Sequence, residues 1–193
     1  MGRRAEDPFR VLVTTVLSLR TQDRTTAAAA ERLFRRAGTP EALVNMTVAD
    51  IARTIFPVGM SPTKARWIRE IARIILERHG GSVPRTKREL MEFPGVGPKV
   101  ANLVLGVCFG IPAICVDTHV HRISNRLGLV QTETPEKTEQ GLERVLPRDL
   151  WIEWNALLVT WGQNVCTPQR PRCSICPLRI KKLCPQVGVR LSR

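Results

Sequence analysis

The chain has 193 residues, of which 43% are hydrophobic, and it carries 30 Lys and Arg against 17 Asp and Glu, a formal net charge of +13. The apolar residues are numerous enough to bury the core of one or two small domains, which excludes a disordered or collagen-like chain. No run approaches the roughly 18 to 20 consecutive apolar residues of a membrane span, and positions 1–10 lack the apolar stretch of a secretory signal. We therefore expect an intracellular protein. The charge favours a polyanionic partner, nucleic acid first, over a merely solubilising surface.

Apolar residues recur at three- and four-residue steps along most of the chain, which predicts helices throughout. The clearest runs begin at Phe9, Ile68 and Trp151. Helix starts are predicted where a capping residue precedes a proline, at Asp7-Pro8, Thr39-Pro40, Ser61-Pro62 and Thr134-Pro135. We find no alternating strand pattern, no hairpin signature and no repeat, so the expected fold class is all-α.

The Ile111-Pro112 pair interrupts the helical pattern and marks the most suitable domain boundary. We predict one helical domain over residues 1–112 and a second over 113–193.

Four cysteines cluster in the last part of the chain as C-x6-C-x2-C-x7-C, at Cys166, Cys173, Cys176 and Cys184. A chain without an export signal does not favour a disulfide framework. Four thiols in so short a basic loop can instead converge on one metal centre, and soft thiolates suit zinc or iron–sulfur ligation equally well on spacing alone. The two other cysteines, Cys108 and Cys115, lie in apolar surroundings and are interpreted as small core residues.

A glycine-proline turn, PGVGP over residues 94–98, lies between two helical patterns. Its glycines allow close approach of another group, and amides at the start of the following helix favour an anion such as a DNA phosphate. We therefore predict a helix–hairpin–helix over about 86–110. Lys99 follows the turn, where the positive end of the helix dipole disfavours an ammonium, and a nucleophilic amine requires the loss of that proton. Phosphate contact is the alternative role for Lys99.

Asp117 precedes another helical pattern, in the segment Val116-Asp117-Thr118-His119. An aspartate there is an N-cap, whether or not it also takes part in chemistry. Neither His119 nor His121 has a partner at metal-ligand spacing, so both are interpreted as structural or DNA-facing.

The combination of FPGVGPKVAN at 93–102, VDTHVHRISNRLG at 116–128 and the cysteine tail resembles the endonuclease III family of DNA glycosylases, and the similarity extends from PFRVLVTTVLSLRTQD at 8–23 to Cys184. The resemblance implies a two-domain helical helix–hairpin–helix glycosylase fold, a six-helix barrel plus a domain with a C-terminal [4Fe–4S] cluster loop over 166–184. It favours iron–sulfur over zinc. It also implies a monomer that binds double-stranded DNA containing damaged bases or abasic sites.

On this resemblance, Lys99 is the Schiff-base nucleophile and Asp117 the carboxylate that assists it. The implied activity removes oxidised pyrimidines and then cleaves the abasic site by β-elimination. Related branches that act on mismatched adenine or thymine lack a lysine at the hairpin position, so Lys99 favours the bifunctional branch. A mismatch (T/G or U/G) glycosylase and a non-catalytic DNA-binding module remain the alternatives. An electron carrier would have no use for the hairpin.

Two positions depart from the family pattern near the expected DNA contacts. Arg20 stands where relatives commonly carry a glutamine that fills the gap left by the extruded base, and Met60 stands where they place a leucine wedge. The last cysteine gap is seven residues rather than the usual five, so Cys184 must reach the other thiols through a longer loop. The residues that we expect to contact DNA are Arg20, Met60, Lys64, Gly95, Val96, Gly97 and His119.

Overall fold

A computed structural model describes residues 7–193, and within that range the chain forms α-helices, two short 3-10 segments and no β-strand. The all-α prediction is therefore confirmed. The helices are α1 (Pro8–Ser18), α2 (Asp23–Arg36), α3 (Pro40–Val44), α4 (Val48–Ile55), α5 (Ser61–Arg78), α6 (Lys87–Leu90), α7 (Pro98–Phe109), α8 (Thr118–Arg126), α9 (Pro135–Val145), α10 (Trp151–Asn164) and α11 (Pro177–Ile180).

The capping side chains largely act as the sequence indicates. The side chains of Asp7, Thr39 and Thr134 each accept a hydrogen bond from a backbone amide of the helix that follows. The Ser61-Pro62 pair differs, because Ser61 is the first helical residue of α5 and the cap is Met60, which makes no side-chain cap bond.

The chain divides into two compact units between Phe109 and Gly110, and the predicted boundary after residue 112 lies three residues further along. The first unit contains α1 to α7, with α5 packed against α1, α3 and α4, and α1 packed against α2 and α7. Its core consists of the helical apolar faces that the sequence periodicity indicates, since Phe9 on α1 and Ile68, Ile71 and Ile75 on α5 are all buried.

The second unit contains α8 to α11 and the cysteine tail, with α8 packed against both α9 and α10. Ile114, Val120, Ile123, Leu142 and Leu158 form its buried centre. On α10 the apolar run is only partly buried: Leu158 is inside, whereas Leu157 is 54% exposed. The periodicity predicted this helix correctly, but it did not indicate how much of the apolar face stays uncovered by the other described residues.

The described helices include none that is both long and apolar enough for a membrane crossing.

Candidate active site and cysteine loop

Lys99 is the second residue of α7 and is exposed to solvent. The hairpin before it is closed by a hydrogen bond from the Val96 amide to the Phe93 carbonyl oxygen, 3.1 Å, and the helix begins with the bond from the Ala101 amide to the Gly97 carbonyl oxygen, 3.0 Å. The first turn of a helix leaves its amides without intrahelical acceptors, so Lys99 projects from an end of partial positive charge. This is the placement that the sequence predicts for the nucleophile.

The hairpin lies directly on an indole ring. Gly95 has φ +77°, and a Cβ placed there would lie 2.5 Å from Cε3 of Trp67 on α5. A glycine is therefore required at this position by both backbone conformation and space. Gly97 differs, because a Cβ there would meet no heavy atom within 4 Å. Sequence reasoning assigned both glycines to close approach of DNA and did not identify Trp67 as the support of the hairpin.

Val96 does not present a free amide to a ligand. Its N–H is used within the turn, and its side chain is only 7% exposed. The amide and the side chain of Val96 are therefore not free to contact DNA, and Gly97 and the start of α7 are the open part of the hairpin.

Asp117 caps α8. Its Oδ1 accepts the amides of His119 at 2.9 Å and Val120 at 2.8 Å, and the side chain is half-buried. Because both cap bonds go to Oδ1, Oδ2 takes no part in the cap. One carboxylate can thus hold the helix start and still present an oxygen to a reacting group.

His119 is fixed by an arginine that sequence reasoning did not single out. Arg122 Nη2 lies 3.1 Å from His119 Nδ1 and donates to the carbonyl oxygen of Cys166, 2.9 Å. Because a guanidinium only donates, Arg122 Nη2 is the donor of this hydrogen bond and His119 Nδ1 is the acceptor. Burial, the largest cause, and neighbouring Arg126 lower the pKa of the Arg122 guanidinium.

His121 faces the interior of its own unit. Its Nδ1 lies 2.6 Å from the hydroxyl of Thr138, which is fully buried and also bonded to Thr132. Of the two interpretations left open for His121, the structure supports the structural one.

Arg20 and Met60 are both exposed, and both have left-handed backbone conformations, with φ +52° and +59°. Lys64 is placed differently from the expectation. It is fully buried, and its ammonium donates to the Leu17 carbonyl oxygen at 2.8 Å and to the Thr21 hydroxyl at 2.9 Å. An ammonium enclosed in this way cannot reach a phosphate, so the structure contradicts Lys64 as a DNA contact. Burial also lowers the pKa of Lys64 from its ordinary value.

All four tail cysteines are free thiols and line one small, almost wholly apolar cavity in the second unit. Cys184 reaches it across the seven-residue gap because α11 and the turn after it fold back, with the Leu183 amide donating to the Leu178 carbonyl oxygen at 2.8 Å. Burial is the largest cause that raises the pKa of the Cys184 thiol, and the three neighbouring cysteines raise it further.

Arg126 fastens the cysteine tail to α8. Its guanidinium donates to the carbonyl oxygens of Thr167, 2.7 Å, and Pro168, and approaches Cys166 Sγ at 3.4 Å. Its own carbonyl oxygen accepts the Val187 amide at 3.1 Å. Arg122 and Arg126 are spaced four residues apart on one helix, and this spacing after Asp117 is the signal that could have identified them.

The donor set fits a thiolate-bound centre, because four soft ligands line one mostly apolar cavity with arginines at its edge. Among residues 7–193, however, no three or more His, Cys, Asp or Glu side chains are drawn together closely enough to form a ready metal site.

Residues 13–148 match the HhH-GPD superfamily of base excision DNA repair proteins. The chain is 50% identical over 173 residues to endonuclease III of Thermotoga maritima, a match that covers 90% of this chain and 81% of that protein. This chain belongs to the endonuclease III family. Its membership makes it a base-excision DNA repair enzyme, as its motifs indicate. It spans 48% of a longer chloroplastic endonuclease III homologue of Arabidopsis thaliana and 61% of the Gallus gallus homologue.

Solved structures support the same family. A trapped endonuclease III–DNA covalent intermediate superposes with a TM-score of 0.87 at 34% identity, covering 96% of this chain and 86% of that one. A thermostable thymine-DNA glycosylase superposes with a TM-score of 0.82 at 26% identity, covering 93% and 84%. The endonuclease III fold is thus shared by proteins with different base specificities, and base specificity must be argued from this chain's own residues.

Proposed function

We propose that this chain is a bifunctional DNA glycosylase and abasic-site lyase that removes oxidised pyrimidines from duplex DNA. The observation that carries the proposal is Lys99, an exposed lysine in the first turn of the hairpin helix. A glycosylase that only activates water has no need of an amine at this position. A relative at 34% identity forms a covalent intermediate with DNA, which is the chemistry that such a lysine performs.

In the proposed reaction, the target nucleotide is extruded from the stack, which exposes C1′ of its deoxyribose. The Lys99 nitrogen attacks C1′ with its lone pair and loses a proton, and the electrons of the glycosidic bond leave with the base, which takes up a proton. Asp117 stabilises the positive charge that develops on the sugar, through the carboxylate oxygen that the cap does not use.

The lyase step follows from the same covalent bond. Ring opening gives an iminium between Lys99 and C1′, which acidifies the C2′ proton. Loss of that proton places its electron pair between C2′ and C3′ and expels the 3′ phosphate as the leaving group. Water then hydrolyses the imine and restores the amine of Lys99.

The four tail cysteines would hold a [4Fe–4S] cluster, with zinc as the alternative for the same ligand set. Their shared apolar cavity and the basic residues around it support this role. When bound, the cluster would cross-link the tail by thiolate bonds. Arg126 would stabilise the same loop through its carbonyl contacts and its approach to Cys166 Sγ.

A mismatch glycosylase is the second candidate, because the thymine-DNA glycosylase shares this fold. It makes a different prediction, since base removal without an amine nucleophile forms no covalent adduct. Lys99 favours the bifunctional enzyme over this candidate.

The proposal is tested by borohydride trapping on a duplex with a single thymine glycol, with wild type beside Lys99→Ala. We expect a covalent adduct with wild type alone and retained DNA binding by the variant. Trapping on an abasic duplex but not on thymine glycol would retain the lyase and refute the base specificity. An adduct formed equally by Lys99→Ala would refute the assignment of the nucleophile.

A further inference from the structure

Lys64 is the largest fully buried side chain of the described residues, and lysine is rarely buried without partners. Its ammonium donates to three acceptors, the carbonyl oxygens of Leu17 and Leu19 and the hydroxyl of Thr21. All three lie at the end of α1 or in the loop after it, whereas Lys64 belongs to α5. One buried cation therefore joins two segments that are 43 or more residues apart in sequence.

The acceptors explain why a cation is tolerated here. The last carbonyl groups of a helix lack intrahelical donors and carry the negative end of the helix dipole. The ammonium of Lys64 satisfies two such carbonyl groups at the end of α1 and so acts as a cap supplied from another helix. The arrangement compensates the ammonium for lost hydration.

The two segments that Lys64 joins also hold unusual backbone. Four non-glycine residues among 7–193 have positive φ, and two of them are Arg20, in the loop after α1, and Met60, directly before α5. Such conformations cost free energy and persist where the surrounding structure enforces them, often at functional positions. Both side chains are exposed, so packing of their own does not explain the strain.

The two loops also touch each other. A Cβ at Gly59 would lie 3.3 Å from the carbonyl oxygen of Arg20 and 3.6 Å from the hydroxyl of Thr21. Arg20 and Met60 therefore project from two backbone segments in close contact. Lys64 follows Met60 by four residues, and its ammonium donates to the segment that carries Arg20.

We propose that Lys64 is a positioning residue: it fixes the two loops that carry Arg20 and Met60, the two side chains that the family resemblance already assigns to the gap left in DNA by an extruded base. The inference rests on the proposed function. Met60 supplies an apolar, flexible wedge for the base stack, and Arg20 supplies hydrogen-bond donors for the unpaired base on the opposite strand. Lys64 touches neither DNA nor substrate and acts only through these two side chains.

The test compares binding of two duplexes, one undamaged and one with a tetrahydrofuran abasic analogue opposite 2-aminopurine, whose fluorescence reports occupation of the gap. Lys64→Met keeps most of the buried volume and removes the ammonium. We expect it to lose about tenfold in its preference for the abasic duplex, the scale of one or two stacking contacts. Lys137→Met is the matched control, because Lys137 is exposed on α9, and it should keep the wild-type preference.

A double-mutant comparison separates positioning from general damage. In the Arg20→Ala/Met60→Ala background, adding Lys64→Met should change the preference by less than about twofold, because residues that act as a unit are not additive. If Lys64→Met fails to fold, Thr21→Val takes its place, because it removes one acceptor of the ammonium. Thr21→Val should lower the preference for the abasic duplex about threefold, and it too should add little in the Arg20→Ala/Met60→Ala background. Thr21→Ser keeps the hydroxyl and should keep the wild-type preference.

Each outcome decides a different question. A wild-type protein that binds both duplexes equally would overturn the proposed function and this inference with it. A wild-type protein that prefers the abasic duplex, beside a folded Lys64→Met or Thr21→Val with the same preference and the same 2-aminopurine response, would overturn the inference alone. Full additivity of Lys64→Met with the double variant would overturn it as well.

Discussion

Gly162 on α10 lies directly against the imidazole of His119 on α8: a Cβ at this glycine would stand 2.3 Å from His119 Nδ1 and 2.9 Å from Arg122 Nη2. The two helices approach so closely that the arginine–histidine hydrogen bond fills the space where a methyl group would be. The first turn of α8, which Asp117 caps, is thereby held to α10 and, through Arg122, to the Cys166 carbonyl oxygen.

Gly162→Ala should therefore destabilise the protein by about 1–3 kcal/mol, the cost of overpacking a tight contact, even though alanine favours a helix over glycine. Thermal or urea unfolding measures the change. Ala156→Ser, at an exposed position of the same helix, should stay within about 0.5 kcal/mol of wild type. An unchanged or raised stability of Gly162→Ala would show that the His119–Arg122 pair is free to move aside.

The two hairpin glycines should separate stability from DNA binding. Gly95→Ala places a methyl group against the Trp67 ring and forces alanine into a left-handed backbone conformation. We therefore expect a loss of about 1–3 kcal/mol in unfolding free energy. Gly97→Ala meets open space and should fold as stably as wild type, yet bind DNA more weakly because its methyl group keeps a phosphate away from the hairpin amides. Equal affinity of Gly97→Ala and wild type for duplex DNA would refute the phosphate site.

Asp117→Asn and Asp117→Ala distinguish the cap from the chemistry. Asparagine caps helices about as well as aspartate, whereas alanine costs roughly 0.5–2 kcal/mol. Both variants should lose most of the single-turnover rate of base removal, but only Asp117→Ala should also unfold earlier. A wild-type rate in Asp117→Asn would mean that the carboxylate serves the helix alone.

Cys184→Ser tests whether the longer cysteine gap still provides a ligand. Because Cys184 lines the same cavity as the other three thiols, we expect this variant to lose iron and sulfide on purification and to expose its tail to proteolysis. Cys108→Ser makes the same change outside the tail and should retain wild-type iron content. A colourless wild-type protein with stoichiometric zinc would decide for the alternative metal.

The exposed basic residues of the cysteine tail, residues 166–193, should contribute to the salt dependence of DNA binding. Arg170 and Lys181 are exposed, and each phosphate contact adds about −0.9 to the slope of log K against log salt. Replacing both by alanine should make the slope shallower by about one to two, whereas Lys137→Ala should leave it unchanged. An unaltered slope in the double variant would place the DNA contacts elsewhere on the chain.

The sequence by itself determined the helical class, most helix starts and the motif residues, because these depend on local periodicity, capping and short-range spacing. Asp117 as a cap and Lys99 in a first helical turn are of this kind. Both placements depend only on residues that are a few positions away in the sequence.

Tertiary structure decided what depends on contacts between distant residues. From the sequence, Lys64 was expected to contact DNA near Met60. Because the end of α1 packs against α5, its ammonium is instead buried and caps the end of α1. Trp67 beneath Gly95 and Gly162 against His119 are also invisible locally, because no sequence spacing encodes the approach of two helices. Burial and long-range hydrogen-bond partners are fixed only when remote segments of the chain meet, so the tertiary structure decides which of its possible roles each of these residues has.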